Sequence, residues 1–502
     1  MTRFNTRMFA LLSVVCLLQF PSTWAVTGAF QKARHSKRPE AWRKQPPISD
    51  APRPFTLPAV RETRLENGLT VLFIEDHRSP VVTILVGIPL ATVPSGGIDS
   101  MTSQLALAEA TAELITEGAG SRSSEQMAQE VETLGGRLSS SANDDYAELA
   151  LSVVAENAER MMDLLGDALL RPTFPESEVA LYKRNRIQTL VVQRQDPSFL
   201  AGEQFDRVVF GGHPYAISAP TPASIDALDR EKLGQFYRSN FVPGGSVAII
   251  VGDFDASRME LKAREVLGKW EAQKKISIYI GPNDFPRAKE RRVYLVNRPG
   301  SEQADFRIGT LAVKRSNPDY FPLLVANSIL GAGTGSRLFL NIRERKGYAY
   351  DVYSSVGALR LAGTFYGGAE TRTEVTARAI QEMLAEFARL REVKVGPREL
   401  QGAKNYLNGL FSLSLSTQGG VAERLMQTRM LDLSSDYLEA YRTRIEAVTA
   451  EQVQEAARKY ILSDRPSIVV VGDASKLAKD LRTIGPVQVL DIEGKPVRPG
   501  VP

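Results

Sequence analysis

Two stretches of the chain share one hydrophobic pattern. Ser246–Asp253 reads SVAIIVGD and Ser467–Asp473 reads SIVVVGD. Each is a continuous apolar run closed by Gly-Asp, the pattern of a strand buried on both faces. An amphipathic helix running into an aromatic precedes each: Leu233, Phe236 and Tyr237 in the first, Val453, Ala456 and Tyr460 in the second. Upstream, Glu178-Val179 with Lys183 matches Glu399-Leu400 with Lys404, and helical phases around Ala158–Leu170 and Val375–Leu390 occupy corresponding places. Several coincidences in one register mark a duplicated body. Each half runs strands, helix, strands, two or three helices, strand. That order predicts an α+β fold of two tandem homologous α/β-sandwich domains, each an antiparallel sheet covered by helices, facing each other across a cleft. The cleft is the natural place for a ligand.

Within the second half, Gly331–Ser355 reads GAGTGSRLFLNIRERKGYAYDVYSS. Gly331, Gly333 and Gly335 predict a loop whose backbone amides can come close to a ligand. A short helical phase follows, with Leu338, Ile342 and the stem of Arg345 on one face. Gly347 breaks it, and Tyr348–Ser354 alternates like a strand. Arg343 falls near the end of the helical phase and Tyr350 on the strand. Brought together across the turn, a guanidinium and a phenol can both donate to a carbonyl oxygen. On spacing alone, a surface Arg–Glu pair beside a sheet tyrosine is the favoured reading.

The N-terminus follows another pattern. Arg3 and Arg7 precede an apolar run, Met8–Phe20, and Thr23-Trp24-Ala25 offers a small-x-small cleavage site. These are the marks of a secretory signal peptide, and a periplasmic destination is expected. Retained, the run would be a membrane anchor, although it is short for a span. Cys16, the only cysteine, lies inside it, so the rest of the chain has no disulfide, thiolate ligand or thiol nucleophile. Residues 26–58 form a basic, proline-rich linker with seven Lys/Arg and two acids. Nine of the 62 basic and two of the 58 acidic residues precede residue 59, which leaves 53 against 56. The overall charge of +4 therefore belongs to the tail, and the body gives no support for nucleic-acid binding. Gly281-Pro282-Asn283-Asp284 and Pro286 read as a second linker. The expected layout is a signal peptide over 1–25, the basic linker over 26–58, one domain over 59–275, a linker over 276–289, the second domain over 290–490 and a tail over 491–502.

From about Arg61 to Lys476 the chain resembles the pitrilysin/insulinase family of zinc peptidases, whose zinc motif is inverted. The matching phrases are Glu66-Asn67-Gly68-Leu69-Thr70-Val71, Leu134-Gly135-Gly136-Arg137-Leu138 with Asn143-Asp144-Asp145-Tyr146, Asp196-Pro197, and Phe210-Gly211-Gly212-His213-Pro214-Tyr215. In the second half, Ser336-Arg337-Leu338-Phe339 and Arg343-Glu344 through Tyr350 match the family's C-terminal signature. In that family H-x-x-E-H on a helix supplies two zinc ligands and a water-activating glutamate, and a distant glutamate completes the site. The resemblance puts that helix at Ser103–Glu117, where the motif positions read Glu109-Ala110-Thr111-Ala112-Glu113. Both histidines are glutamate and the catalytic glutamate is Ala112. The downstream ligand would fall in residues 184–195, RNRIQTLVVQRQ, which hold no acid.

No substitute motif is visible. The three histidines are His35, His77 and His213, and Gly331-x-Gly-x-Gly lacks the lysine and βαβ setting of a phosphate loop. Glu109, Glu113 and Glu117 line one helical face, and a solvated or salt-bridged face is the expectation for them. The resemblance gives Arg343 and Tyr350 a role: in the family such a pair holds the substrate backbone near the scissile bond. Some members are heterodimers in which one chain supplies zinc and the other this pair. The expectation is a non-catalytic, substrate-binding subunit of a periplasmic heterodimeric zinc endopeptidase, with no metal or cofactor of its own and zinc in an H-x-x-E-H-bearing partner. Arg343, Tyr350 and the Gly331, Gly333 and Gly335 loop would meet a peptide or unfolded protein. An enzymatically silent scaffold in the cell envelope is the alternative, and a self-sufficient hydrolase built on Glu109 and Glu113 a third reading.

Overall fold

The computed structural model describes residues 58–90, 97–271, 285–286 and 288–497. The signal, the basic linker, most of the expected linker at 276–289 and the last five residues lie outside the described residues. Among the described residues no helix is long and apolar enough to cross a membrane. The described residues form a single compact unit.

The first half contains β1 (Arg61–Arg64), β2 (Thr70–Glu75), β3 (Val81–Pro89), α1 (Ile98–Leu114), α2 (Ser124–Thr133), β4 (Arg137–Ala142) and β5 (Tyr146–Val154). It continues with α3 (Ala158–Leu170), α4 (Glu176–Gln193), α5 (Pro197–Phe210), α6 (Pro222–Asp226), α7 (Arg230–Asn240), β6 (Val247–Gly252) and α8 (Ala256–Leu267). The second half repeats the plan. It runs β7 (Arg292–Asn297), β8 (Gln303–Ala312), α9 (Tyr320–Gly331), β9 (Ala349–Ala358), β10 (Gly363–Arg372) and α10 (Thr376–Glu392). Then come α11 (Pro397–Ser414), α12 (Gln418–Met430), α13 (Tyr437–Ala447), α14 (Ala450–Tyr460), β11 (Ser467–Gly472), α15 (Ala474–Leu481) and β12 (Val487–Leu490).

Each half builds a six-stranded sheet, ordered β1-β2-β6-β3-β5-β4 and β12-β7-β11-β8-β10-β9. Pairing is antiparallel except for β2/β6, β7/β11 and β7/β12. Those parallel pairs join strands separated by helical crossovers, the kind of connection parallel strands require.

The two apolar signature strands are fully buried because each is covered on both faces, and the two covers come from different halves. On β6, Ala248 and Ile250 pack with Met161, Met162, Leu165 and Ala263 of α3 and α8. Val247, Ile249 and Val251 point the other way, into a core shared with Val421, Leu425 and Met426 of α12. On β11 the roles reverse. Ile468 and Val470 face the helices of their own half, whereas Val469 and Val471 pack with Leu200, Phe205 and Val209 of α5. Helices α5 and α12 occupy corresponding places in the two halves, so the halves exchange one helix each. Gly87 on β3 makes room for this: a β-carbon there would collide with the Met426 sulfur. Polar contacts fix the exchange. Gln418 Nε2 donates to the carbonyls of Asp76 (2.8 Å) and Ser79 (3.1 Å), and Arg429 pairs with Glu62 at 2.6 Å.

Candidate functional site

Helix α1 carries the dismantled motif. It spans Ile98–Leu114, so it starts and stops a few residues earlier than the expected Ser103–Glu117. The helix packs between β4–β5 and the α4, α6 and α7 layer. Ala112 is fully buried and joins the sheet core with Phe73 and Ile115. The position of the family's water-activating glutamate is therefore a packed methyl with no proton to give or take.

Glu109 and Glu113 project from the face of α1 that meets α4. Arg186 of α4 answers them: its Nη2 and Nε both donate to Glu109 Oε2, at 2.9 and 3.1 Å, and its Nη1 donates to Gln193 Oε1 at 3.2 Å. The pair is largely enclosed, with side-chain exposures of 14% for Arg186 and 19% for Glu109. Burial raises the Glu109 carboxyl above its ordinary range while Arg186 pulls it back. Glu113 is raised by burial and by the neighbouring Glu109, again opposed by Arg186. Glu117 turns elsewhere and accepts from the Ser124 hydroxyl.

Arg186 lies inside the acid-free segment where the downstream ligand of the family would fall. The charge at this place has thus been inverted: a guanidinium stands opposite Glu109 where a zinc site would need a third ligand. Two unit charges 4 Å apart interact by roughly 4 kcal/mol at an effective dielectric of 20, and a dication doubles this. A metal would have to overcome that repulsion, displace Arg186 from Glu109 and accept two carboxylates without histidine. Among the described residues no group of three His, Cys, Asp or Glu side chains converges to hold a metal ion. These residues do not fit zinc.

Around this pair the surface is acidic. Asp144, in the β4–β5 turn, is open to solvent yet ringed by protein, and its carboxyl is pushed up to about 7 by burial and by Asp145, Asp206 and Glu109. Asp145 ties the halves together. It accepts from the Tyr215 hydroxyl and, through Oδ2, from Arg360 N at 3.1 Å in the β9–β10 hairpin. His213 supports Tyr215: its Nδ1 accepts from Tyr215 N at 3.1 Å, and burial lowers its pKa to about 4. It is a buried cap rather than a ligand. His77 lies 2.6 Å from Asp253 at the surface, and His35 is outside the described residues.

The second constellation is in the other half. Arg343 belongs to a π-helical turn, Phe339–Arg345, where an α-helical phase was expected. The wider turn and the reversal at Gly347 (φ 62°) deliver Arg343 to β9. Its guanidinium carbon lies 5.0 Å from the Tyr350 ring centroid and 4.6 Å from the Phe339 ring. Tyr350 is 85% exposed and the Arg343 side chain 35% exposed, so the pair lies at the surface. The Arg343–Glu344 contact is long, 3.8 Å, and exposed. Arg343 is held by aromatic rings, not by a carboxylate.

The glycine loop is shorter than expected. Gly331 is the last residue of α9 and buried; a β-carbon there would lie 2.5 Å from Ser354 Oγ. Its role is close packing of helix on strand, which corrects its assignment to a ligand-facing loop. Gly333 (φ 145°) and Gly335 are exposed, and Gly333 borders the Tyr406 ring of α11. Arg186 was not singled out in the sequence, where the only signal was a run of bases and amides in place of an acid.

Two duplicated sheets with exchanged helices, a metal position closed by an ion pair and an exposed arginine–tyrosine pair define a peptidase-like, non-catalytic chain. Family models agree. The description "Insulinase (Peptidase family M16)" matches residues 93–208, and "Peptidase M16 inactive domain" matches residues 227–407. The chain belongs to the pitrilysin/insulinase family of peptidases. Among its relatives is an uncharacterized zinc protease of Mycobacterium leprae, 27% identical over 440 residues, covering 84% of this chain and 94% of that one. One from Bacillus subtilis is 23% identical over 411 residues, covering 81% and 96%. A peptidase M16 inactive domain from Pseudomonas fluorescens superimposes with a TM-score of 0.74 at 26% identity, over 83% of this chain and 98% of that one. A protease from Helicobacter pylori shares the fold, with a TM-score of 0.76 at 16% identity, over 83% and 100%.

Proposed function

We propose that this chain is the substrate-binding, non-catalytic subunit of a periplasmic heterodimeric zinc endopeptidase. Its partner carries H-x-x-E-H and the zinc, and the pair acts on peptides or unfolded segments. One contrast carries the reading: the metal position is closed by Glu109–Arg186, while Arg343 and Tyr350 stay stacked and open to solvent. The Arg343 guanidinium rests on the rings of Phe339 and Tyr350, and Tyr350 is exposed, so the pair is accessible to a peptide. In the proposed complex Arg343 and Tyr350 donate to a substrate carbonyl, which orients the peptide and supports charge developing on that oxygen. The exposed Gly333 and Gly335 border the peptide's path, and Glu109 and Glu113 take no part in the chemistry.

Affinity capture of this chain from its own envelope fraction, with mass spectrometry and metal analysis of the eluate, tests the proposal. The expected eluate holds a near-equimolar second chain bearing H-x-x-E-H and about one zinc per pair. A solitary zinc-free protein, or one bound to unrelated envelope components, would favour an enzymatically silent scaffold instead.

A further inference from the structure

Away from both constellations, the β8–α9 loop and the two ends of α13 enclose a cavity of about 540 Å³. Its walls include Arg315, Ser316, Phe321, Ser434, Tyr437 and Arg444. Arg315 is the unusual member. Its guanidinium lies 4.1 Å from the centroid of the Tyr320 ring and 5.6 Å from that of Tyr437, and it donates to the Tyr320 hydroxyl. The rings of Tyr320 and Tyr437 flank its charge. Its Nε is buried and makes no hydrogen bond. Two acids stand nearby: Asp432, also a wall residue, pairs with Arg360 at 2.8 Å, and Asp436 pairs with Arg444 at 3.3 Å, which leaves Arg315 without a carboxylate.

A guanidinium taken out of water is normally paired with an anion. Stacking on aromatic faces offsets part of its desolvation and leaves Nε without a partner. A second guanidinium faces the same space. Arg444 sits 5.7 Å from the Phe321 ring and 5.6 Å from the Tyr437 ring, the same distance as Arg315 from Tyr437. Two cations, the Ser316 and Ser434 hydroxyls and an aromatic floor are complementary to one kind of ligand: an oxyanion carried on a flat apolar body.

We propose that this cavity binds a small organic anion, with its carboxylate or phosphate between Arg315 and Arg444 and its apolar part against Phe321 and Tyr437. The proposal does not depend on the function proposed above. It is tested by calorimetric titration of the purified full chain with benzoate, phenyl phosphate and the neutral analogue benzamide. At least one anion is expected to bind saturably in the millimolar range, with benzamide about ten-fold weaker or more, the worth of a charge-assisted hydrogen bond. The tighter of the two anions identifies the ligand as carboxylate or phosphate. Arg444→Met removes a half-exposed wall residue and should weaken binding by a similar factor at an unchanged Tm; Arg315→Lys should do the same if folded. Anions that bind no better than benzamide would overturn the proposal. So would undiminished anion binding by a folded Arg444→Met, which would make Arg315 an internal staple of the aromatic cluster.

Discussion

Replacing Arg186 with methionine tests whether an internal ion pair fills the metal position. Methionine keeps the stem and removes the charge, leaving Glu109 enclosed beside Glu113 with no cation. Breaking a buried pair by deleting one partner costs about 3–5 kcal/mol. The side-chain exposures of 14% and 19% allow some water to reach the survivor, so roughly 2–3 kcal/mol is expected here. In thermal melts that is a fall of a few degrees for a chain of this size. The cost must depend on pH with a definite sign. Burial already raises the Glu109 carboxyl and Arg186 opposes it, so removing Arg186 lifts the folded-state pKa further above its unfolded value. A carboxyl with a raised pKa weakens the fold above that pKa and ceases to do so once protonated. The gap between Arg186→Met and the parent should therefore be widest at about pH 8 and narrow toward about pH 5. Adding Glu109→Gln should restore most of the loss, because both charges are then gone. Urea midpoints across pH, read as a double-mutant cycle, measure this. A loss below about 0.5 kcal/mol, the ordinary scatter of surface substitutions, would refute the reasoning. So would a gap independent of pH, or strict additivity with Glu109→Gln.

His213, neutral until its pKa of about 4, should make the fold acid-sensitive. The unfolded chain takes up that proton near pH 6.5 and the native one does not, so stability falls as pH drops from about 6.5 to about 4. His213→Asn keeps an acceptor for Tyr215 N and should flatten that slope, removing about 2–3 kcal/mol of acid loss in denaturant midpoints. Gly331→Ala should cost about 1–3 kcal/mol, because its methyl must push helix α9 from Ser354; peptide affinity of the complex should be unchanged once the protein is folded. In the complex with its zinc-bearing partner, Arg343→Ala should lower kcat/KM by about 10²–10³, the effect of losing one donor to a developing oxyanion. Tyr350→Phe should lower it less, in the same assay.

The duplicated plan was legible because strands β6 and β11 have no polar face, and a strand buried on both sides prints an unbroken apolar run. Sequence periodicity placed α3 almost to the residue, since Met161, Leu164, Leu165 and Ala168 repeat at helical spacing. What periodicity could not show is which sheet an apolar helix face will cover. Nothing in the sequence marks α5 and α12 as helices that each pack on the sheet of the other half. The π-helical turn at Phe339–Arg345 was illegible too: Leu338 and Ile342 are buried as helical spacing predicts, and no local composition marks the wider turn. Loss of the zinc site was plain from Glu109, Ala112 and Glu113. Its replacement by Arg186 was not, because the pairing spans 77 residues and depends on the packing of α1 against α4.

The measurement that tests the account most directly is hydrolysis of an unstructured peptide by this chain alone, by the co-purifying chain alone and by the two together. The account predicts no turnover by this chain, chelator-sensitive turnover by the mixture well above that of the other chain, and loss of that gain with Arg343→Ala. Chelator-sensitive cleavage by this chain alone, or a mixture indifferent to Arg343, would contradict it.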